Sequence, residues 1–260
     1  MSRVSNKRLD SLVSVASAYL AANNRLLLLD GDGTLVPFAA KPEQAKPSAK
    51  TLSVIKKLAS DSHNTVVIIS GRDRNTLDTW LGHLPIQFVA EHGVFEKIDG
   101  GWRASIDLDS TWKEKARPII RNYVQMIPGS LLEEKESALV YHYRNAVDQS
   151  AARSAAHELL QKLKPLVTEL GLHSVHASMV VEIRQSGTDK GQAALAELGR
   201  RSYDFILCAG DSQTDEDMFK RLAQQAFCIK VGSGQTAASY QVKNPETLVN
   251  FLTTLAEADE

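Results

Sequence analysis

Residues 25–35, Arg25-Leu26-Leu27-Leu28-Leu29-Asp30-Gly31-Asp32-Gly33-Thr34-Leu35, run four leucines straight into two carboxylates and two glycines. A short apolar run closed by turn residues is the pattern of a strand buried on both faces, as inside a parallel sheet. If the chain stays extended through Gly31, Asp30 and Asp32 share one side of it, because strand side chains repeat every second residue. Gly33 then permits a sharp turn. Carboxylates this close repel, so the pattern asks for a retained proton or a cation between them. A surface turn of Asp and Gly is the competing reading of the same letters. An EF-hand calcium loop is excluded, since its twelfth position needs Glu and here holds Lys41. A G-x-x-x-x-G-K-[ST] phosphate loop is absent from the chain.

Working outward, residues 8–22 carry a helical stripe of Leu9, Leu12, Val13, Val15, Ala16, Tyr19 and Leu20 ahead of the leucine strand. Prolines at 37, 42 and 47 make the stretch after it an irregular loop, and Ser48 stands as an N-cap before Leu52, Ile55 and Leu58. Thr65–Ile69 reads as a second buried strand ending in Ser70-Gly71-Arg72, followed by a helix over 75–81. Ile86–Ala90 reads as a third, ending in Glu91-His92-Gly93. Strand and helix in alternation predict a parallel α/β sheet.

From about Ser110 the texture changes to a helix over 112–127, a mixed strand over 138–144, a long helix over 149–170 and a strand over 174–184. We expect an inserted α+β domain at 109–184, its sheet packed on one face and open to a ligand on the other. The catalytic core is then 1–108 with 185–260. After the insertion a helix over 192–198 follows Lys190, Phe205–Asp211 is a strand running into a carboxylate, and Phe227–Val231 is the last buried strand.

The composition narrows the function classes. Of 260 residues, 43% are hydrophobic and 23% charged, which fits a folded globular chain rather than a disordered one. The formal net charge of -1 gives no general attraction to nucleic acid or to an anionic membrane, so the expected partner is a small molecule. No apolar run approaches about 18 residues, and no secretory leader is evident. Cys208 and Cys228 sit in apolar strand patterns, as buried thiols do in a reducing, cytoplasmic compartment. Gly232–Ala237 has the look of a dinucleotide fingerprint but stands too near the C-terminus for one, and Trp80, Trp102 and Trp112 are read as packing residues.

Open α/β sheets bind ligands at the carboxyl ends of their strands, where Asp30, Asp32, Ser70, Lys190, Asp211 and Asp215 would gather. Carboxylates with one lysine and no His or Cys cluster make an oxygen-rich site suited to Mg2+.

These segments resemble the haloacid dehalogenase superfamily: Asp30-Gly31-Asp32-Gly33-Thr34, Ser70, Lys190, and Gly210-Asp211 with Asp215 match its pattern. The resemblance implies a Rossmann-like core with an inserted C2-type α+β cap. It also implies Asp30 as nucleophile through an aspartyl-phosphate, and Asp32 as general acid and then base. Mg2+ would be held by Asp30, the Asp32 carbonyl and Asp211, and the phosphate oxygens by Ser70 and Lys190. Nearer still is the trehalose-6-phosphate phosphatase family, similar through Ser70-Gly71-Arg72, Ala90–Gly93, Glu133-Glu134-Lys135, Tyr141–Arg144, Val181–Arg184 and Thr214–Phe219.

That likeness implies sugar-holding roles for Glu133, Lys135 and Glu182, with Arg144 near the phosphate. Arg72 and Asp215 join the substrate-binding set. Without it, residues 133–136 read as a solvated charge run. The family often has a bulky residue where this chain has Gly31, which would loosen the loop without removing chemistry, and Ser212 replaces a second acid. Fused synthase/phosphatase chains have similar wording, so a trehalose-phosphate synthase domain or subunit is an implied partner. Phosphatases for sucrose or glucosylglycerol phosphate, and a regulatory domain sensing trehalose 6-phosphate, stand as alternatives.

Overall fold

The structure is a computed structural model and describes residues 12–39, 44–177 and 179–258. In chain order its elements are α1 (Leu12–Ala21), β1 (Arg25–Leu29), α2 (Ala49–Ser60), β2 (Asn64–Ile69), α3 (Arg74–Leu81), β3 (Gln87–Ala90), β4 (Phe95–Ile98) and β5 (Gly101–Ala104). Next come α4 (Trp112–Met126), β6 (Leu131–Glu134), β7 (Ala138–His142), α5 (Gln149–Glu169), β8 (Leu172–Ala177) and β9 (Val180–Gln185). The last are α6 (Lys190–Leu198), β10 (Phe205–Gly210), α7 (Asp215–Leu222), β11 (Phe227–Val231), β12 (Tyr240–Val242) and α8 (Pro245–Glu257). Part of the leading helical stripe, residues 8–11, and loop residues 40–43 lie outside the described residues.

The leucine run is β1, buried along its whole length. It lies between β10 and β2, parallel to both, with Leu27 opposite Leu207 and Val66. Among the described residues the larger sheet has eight strands in the order β12-β11-β10-β1-β2-β3-β4-β5, and only β4 runs against the others, antiparallel to both β3 and β5. The parallel strands deliver Asp30, Ser70, Glu91 and Asp211 to one end of the sheet, as the alternation of strand and helix predicts. Leu26, Leu28, Val67, Ile69, Ile206 and Cys208 form one buried cluster with Met218 and Phe219 of α7. The two cysteines are free, buried and in contact, Sγ to Sγ at 3.0 Å. Ser48 caps α2 by accepting the Thr51 N–H, as the sequence suggests.

The described chain divides into two compact units, one from 1–105 with 188–260 and the other from 106–187. In the second, strands β6-β7-β9-β8 form an antiparallel sheet. Leu139, Tyr141, Val181 and Ile183 pack from it against Trp112, Ala116 and Ile120 of α4 and Leu159 and Leu163 of α5. One expectation is corrected here: 174–184 is not a single strand but the hairpin β8–β9, reversing at Met179, whose φ is 71°. The β4–β5 hairpin, β6, β12 and α8 add elements beyond those expected. No helix of the described residues is long and apolar enough to cross a membrane.

Candidate active site

At the end of β1 the Gly31 carbonyl accepts the N–H groups of Thr34, Leu35 and Val36, at 3.3, 2.9 and 3.0 Å. These bonds fold the acidic loop back on itself, so the loop is tied at Gly31 itself. Gly33 has φ of 80°, and a methyl on it would lie 2.4 Å from the Asp211 carboxylate. Only glycine meets both demands.

Asp30 is buried. One of its oxygens accepts from Lys190 Nζ at 2.6 Å and the other from Thr34 Oγ1 at 2.9 Å. Lys190 also reaches Asp215 Oδ1 at 2.7 Å, so a fully buried ammonium joins two buried carboxylates. Asp215 Oδ2 accepts the Ser212 N–H, the Ser212 hydroxyl and the Asp211 N–H at 2.8, 2.7 and 3.1 Å, closing the loop after β10. Ser212 thus knits the loop.

Ligand oxygens of Asp30, Asp211 and Asp215 lie within 4.8 Å of one another. Burial, together with Asp215 and Asp211, raises the Asp30 carboxyl well above the ordinary range. Burial and Asp215 push Asp211 up to about 6. Against the same cost of burial, Lys190 and the Ser212 bonds hold Asp215 low, while Asp215 and Asp30 raise Lys190. Three carboxylates set against the Lys190 ammonium and, beside Asp211, that of Lys230 leave excess negative charge. The donor set, all oxygen, fits a hard divalent cation. Asp215 takes three hydrogen bonds on one oxygen and the Lys190 ammonium on the other, whereas each Asp30 oxygen takes one, so Asp30 and Asp211 are the better placed pair.

Asp32 has a different neighbour. Arg72 forks onto it, Nε and Nη2 meeting its two oxygens at 2.6 and 2.7 Å. The guanidinium also sits over the Trp80 ring, 4.7 Å from its centroid. The repulsion between Asp30 and Asp32 expected from spacing is therefore met by two separate cations, Lys190 and Arg72. Ser70 is buried, and its hydroxyl accepts the Arg72 N–H at 3.1 Å.

In the second unit Glu133, Val140 and Glu182 stand opposite one another across β6, β7 and β9. Glu133 meets His142 Nε2 at 2.7 Å, and Lys135 Nζ lies 4.0 Å from Glu182. Glu134 instead pairs with Arg117 of α4 at 2.7 Å, so the charge run of 133–136 divides between a helix contact and the sheet face opposite the packed side. Arg144 stands exposed just after β7. Sequence reasoning gave no separate role to Thr34, His142 or Lys230, and read Trp80 as a packing residue rather than as the ring beneath Arg72. The Lys230 ammonium donates to the Asp211 carbonyl from β11. A buried lysine in an apolar strand is the one signal that pointed to it.

The fold is the one found in a phosphatase of the haloalkanoate dehalogenase superfamily from Bacteroides thetaiotaomicron, which superposes with a TM-score of 0.60 at 19% identity, covering 88% of this chain and 92% of that one. The trehalose-phosphatase family model matches residues 28–246, and the chain belongs to that family. It is 40% identical over 243 residues to the bifunctional trehalose-6-phosphate synthase/phosphatase of Thermoproteus tenax, covering 93% of this chain and 33% of that protein. Trehalose-phosphatase of Schizosaccharomyces pombe is 33% identical over 92% of this chain and 32% of its own length. The chain thus spans about a third of the length of these curated relatives. Among solved structures, the C-terminal domain of trehalose-6-phosphate phosphatase from C. albicans superposes with a TM-score of 0.90 at 29% identity, covering 98% of this chain and 99% of that one.

Proposed function

We propose that this chain is a magnesium-dependent phosphatase that converts trehalose 6-phosphate to trehalose and phosphate. The observation that carries the reading is the buried group of Asp30, Lys190, Asp215 and Asp211 at the ends of β1 and β10. Asp30 attacks phosphorus while the bond to the sugar oxygen breaks, giving an aspartyl-phosphate that water then cleaves. Asp32 protonates the departing alkoxide and afterwards takes the proton of the attacking water. Arg72 occupies both Asp32 oxygens, so proton delivery requires Asp32 to turn one of them out of that fork. Lys190 and the Ser70 hydroxyl hold equatorial phosphate oxygens. Magnesium bound by Asp30, Asp211 and the Asp32 carbonyl supplies the positive charge that lets an anionic nucleophile meet an anionic phosphate.

Glu133, Lys135 and Glu182 are suited to sugar hydroxyls, since a carboxylate or an ammonium can bridge neighbouring hydroxyl groups. Arg144 supplies a further cation for the phosphate. The family membership and the similarity to named trehalose-phosphatases support this substrate over other sugar phosphates.

Phosphate release from a panel of sugar phosphates, with and without magnesium, tests the reading. Metal-dependent preference for trehalose 6-phosphate, lost in Asp30→Asn, is the expected result. Equal turnover of many esters would discard the sugar assignment, and binding of trehalose 6-phosphate without release by the intact fold would make the chain a sensor.

A further inference from the structure

Strand β3 ends in Glu91-His92-Gly93, three successive residues with φ of 48°, 59° and 111°. Glycine adopts that region freely, whereas Glu and His stay there only when their surroundings hold them, and such residues gather at functional sites. The surroundings here are the segments carrying Ser70 and Lys190. On one side the His92 N–H donates to the Ser70 carbonyl and the Glu91 N–H to the Arg72 carbonyl, both at 3.0 Å. The His92 ring lies over Gly71 so closely that a methyl there would stand 2.6 Å from Nε2. On the other side Gly93 presses on the residues leading into α6. A methyl on Gly93 would lie 2.3 Å from Thr188 Oγ1 and 3.2 Å from the Asp189 carbonyl oxygen.

We propose that this turn is a brace that sets the distance between the Ser70 loop and Lys190, with His92 as the positioning residue. The proposal rests on the phosphatase reading above. Ser70 and Lys190 must grip the same phosphoryl group from different segments. The turn touches both, and its left-handed backbone lets two successive N–H groups face the Ser70 loop. The ring of His92 fills the space over Gly71, so that loop cannot sag away from the anion. A loss of this kind acts on the transition state, where the grip is tightest, and leaves binding of the sugar alone.

The test uses the full chain with His92→Gly, which keeps the backbone conformation and removes the ring, and His92→Asn, which tolerates the conformation and keeps a polar side chain. Affinity for orthovanadate in magnesium chloride is measured by calorimetry, beside kcat, KM and the melting temperature. His92→Gly should weaken vanadate binding and lower kcat by about 10- to 100-fold, with KM little changed and His92→Asn recovering most of the loss. Wild-type vanadate affinity and kcat in His92→Gly, with only a shifted melting temperature, would overturn the brace. Vanadate binding needs no substrate, so a wild-type chain that binds it yet hydrolyses no ester overturns the phosphatase reading while the brace is still judged by vanadate. A wild-type chain that binds no vanadate overturns both.

Discussion

Two glycines in one loop answer to opposite constraints. A methyl on Gly31 would sit 3.4 Å from Ser70 Oγ, an ordinary contact, whereas one on Gly33 would enter the Asp211 carboxylate at 2.4 Å with the backbone already at φ of 80°. Gly31→Ala should therefore keep its activity within about twofold, and Gly33→Ala should lose about 100-fold or more in kcat together with metal-dependent stabilisation. Equal effects of the two in a steady-state assay would count against this placement of Asp211. Asp211 also sets a pH dependence. Its folded value of about 6 lies above the ordinary carboxylate value, so between them the folded state binds more protons than the unfolded one. Stability contributed by protonated Asp211 is present at low pH and is lost as pH rises towards about 6. A cation competes with that proton, so magnesium should raise the melting temperature more at about pH 7.5 than at about pH 5. A gain independent of pH, read by differential scanning calorimetry, would remove Asp211 from the metal site. At this scale the residue types of the core site were legible because they stand at strand ends. The Arg72 fork on Asp32 was not, since nothing in the sequence pairs a guanidinium with a carboxylate 40 positions away.

At the scale of elements, the start of α6 shows how a helix terminus delivers a catalytic side chain. Asp189 caps it by accepting the Gln192 N–H at 2.8 Å, and both of its oxygens pair with Arg221 of α7 at 2.5 and 2.9 Å. Lys190 is the first residue of that helix. Asp189→Ala should cost about 1–2 kcal/mol of stability, most of it from the cap because the ion pair is partly exposed, and should lower kcat as Lys190 loses its fixed start. An unchanged urea midpoint with full activity would show that α6 is held elsewhere. The buried parallel strands were readable as apolar runs and the long helices from their periodicity. The β8–β9 reversal was hidden because Ala177-Ser178-Met179 offers only Ser, a weak turn former, and no Gly, Pro, Asn or Asp, so the chain reads on as one strand. Asp99-Gly100 did spell a hairpin between β4 and β5, but an expectation of strict strand–helix alternation passed over it.

For the whole molecule, the segment 106–187 has the properties of an independently folding body. Its core joins two helices to one face of a four-stranded sheet through Trp112, Ile120, Tyr141, Leu159, Leu163 and Ile183. Its two ends meet each other. The Gln185 side chain donates to the Asp107 carbonyl at 2.5 Å and accepts the Asp109 N–H at 3.0 Å, and a methyl on Gly187 would lie 3.6 Å from Ile106. Closing the ends within the segment spares it any need for the rest of the chain to fix its entry and exit, and about 80 residues suffice for a single core. Expressed alone, 106–187 should unfold cooperatively in urea with a stability of about 3–5 kcal/mol and keep a near-ultraviolet signal from Trp112. The isolated segment should release no phosphate, because Asp30, Lys190 and Asp211 belong to the other unit. A broad transition with dye binding and no near-ultraviolet signal would mean that its core is completed by residues outside 106–187, and the chain would then fold as one cooperative body.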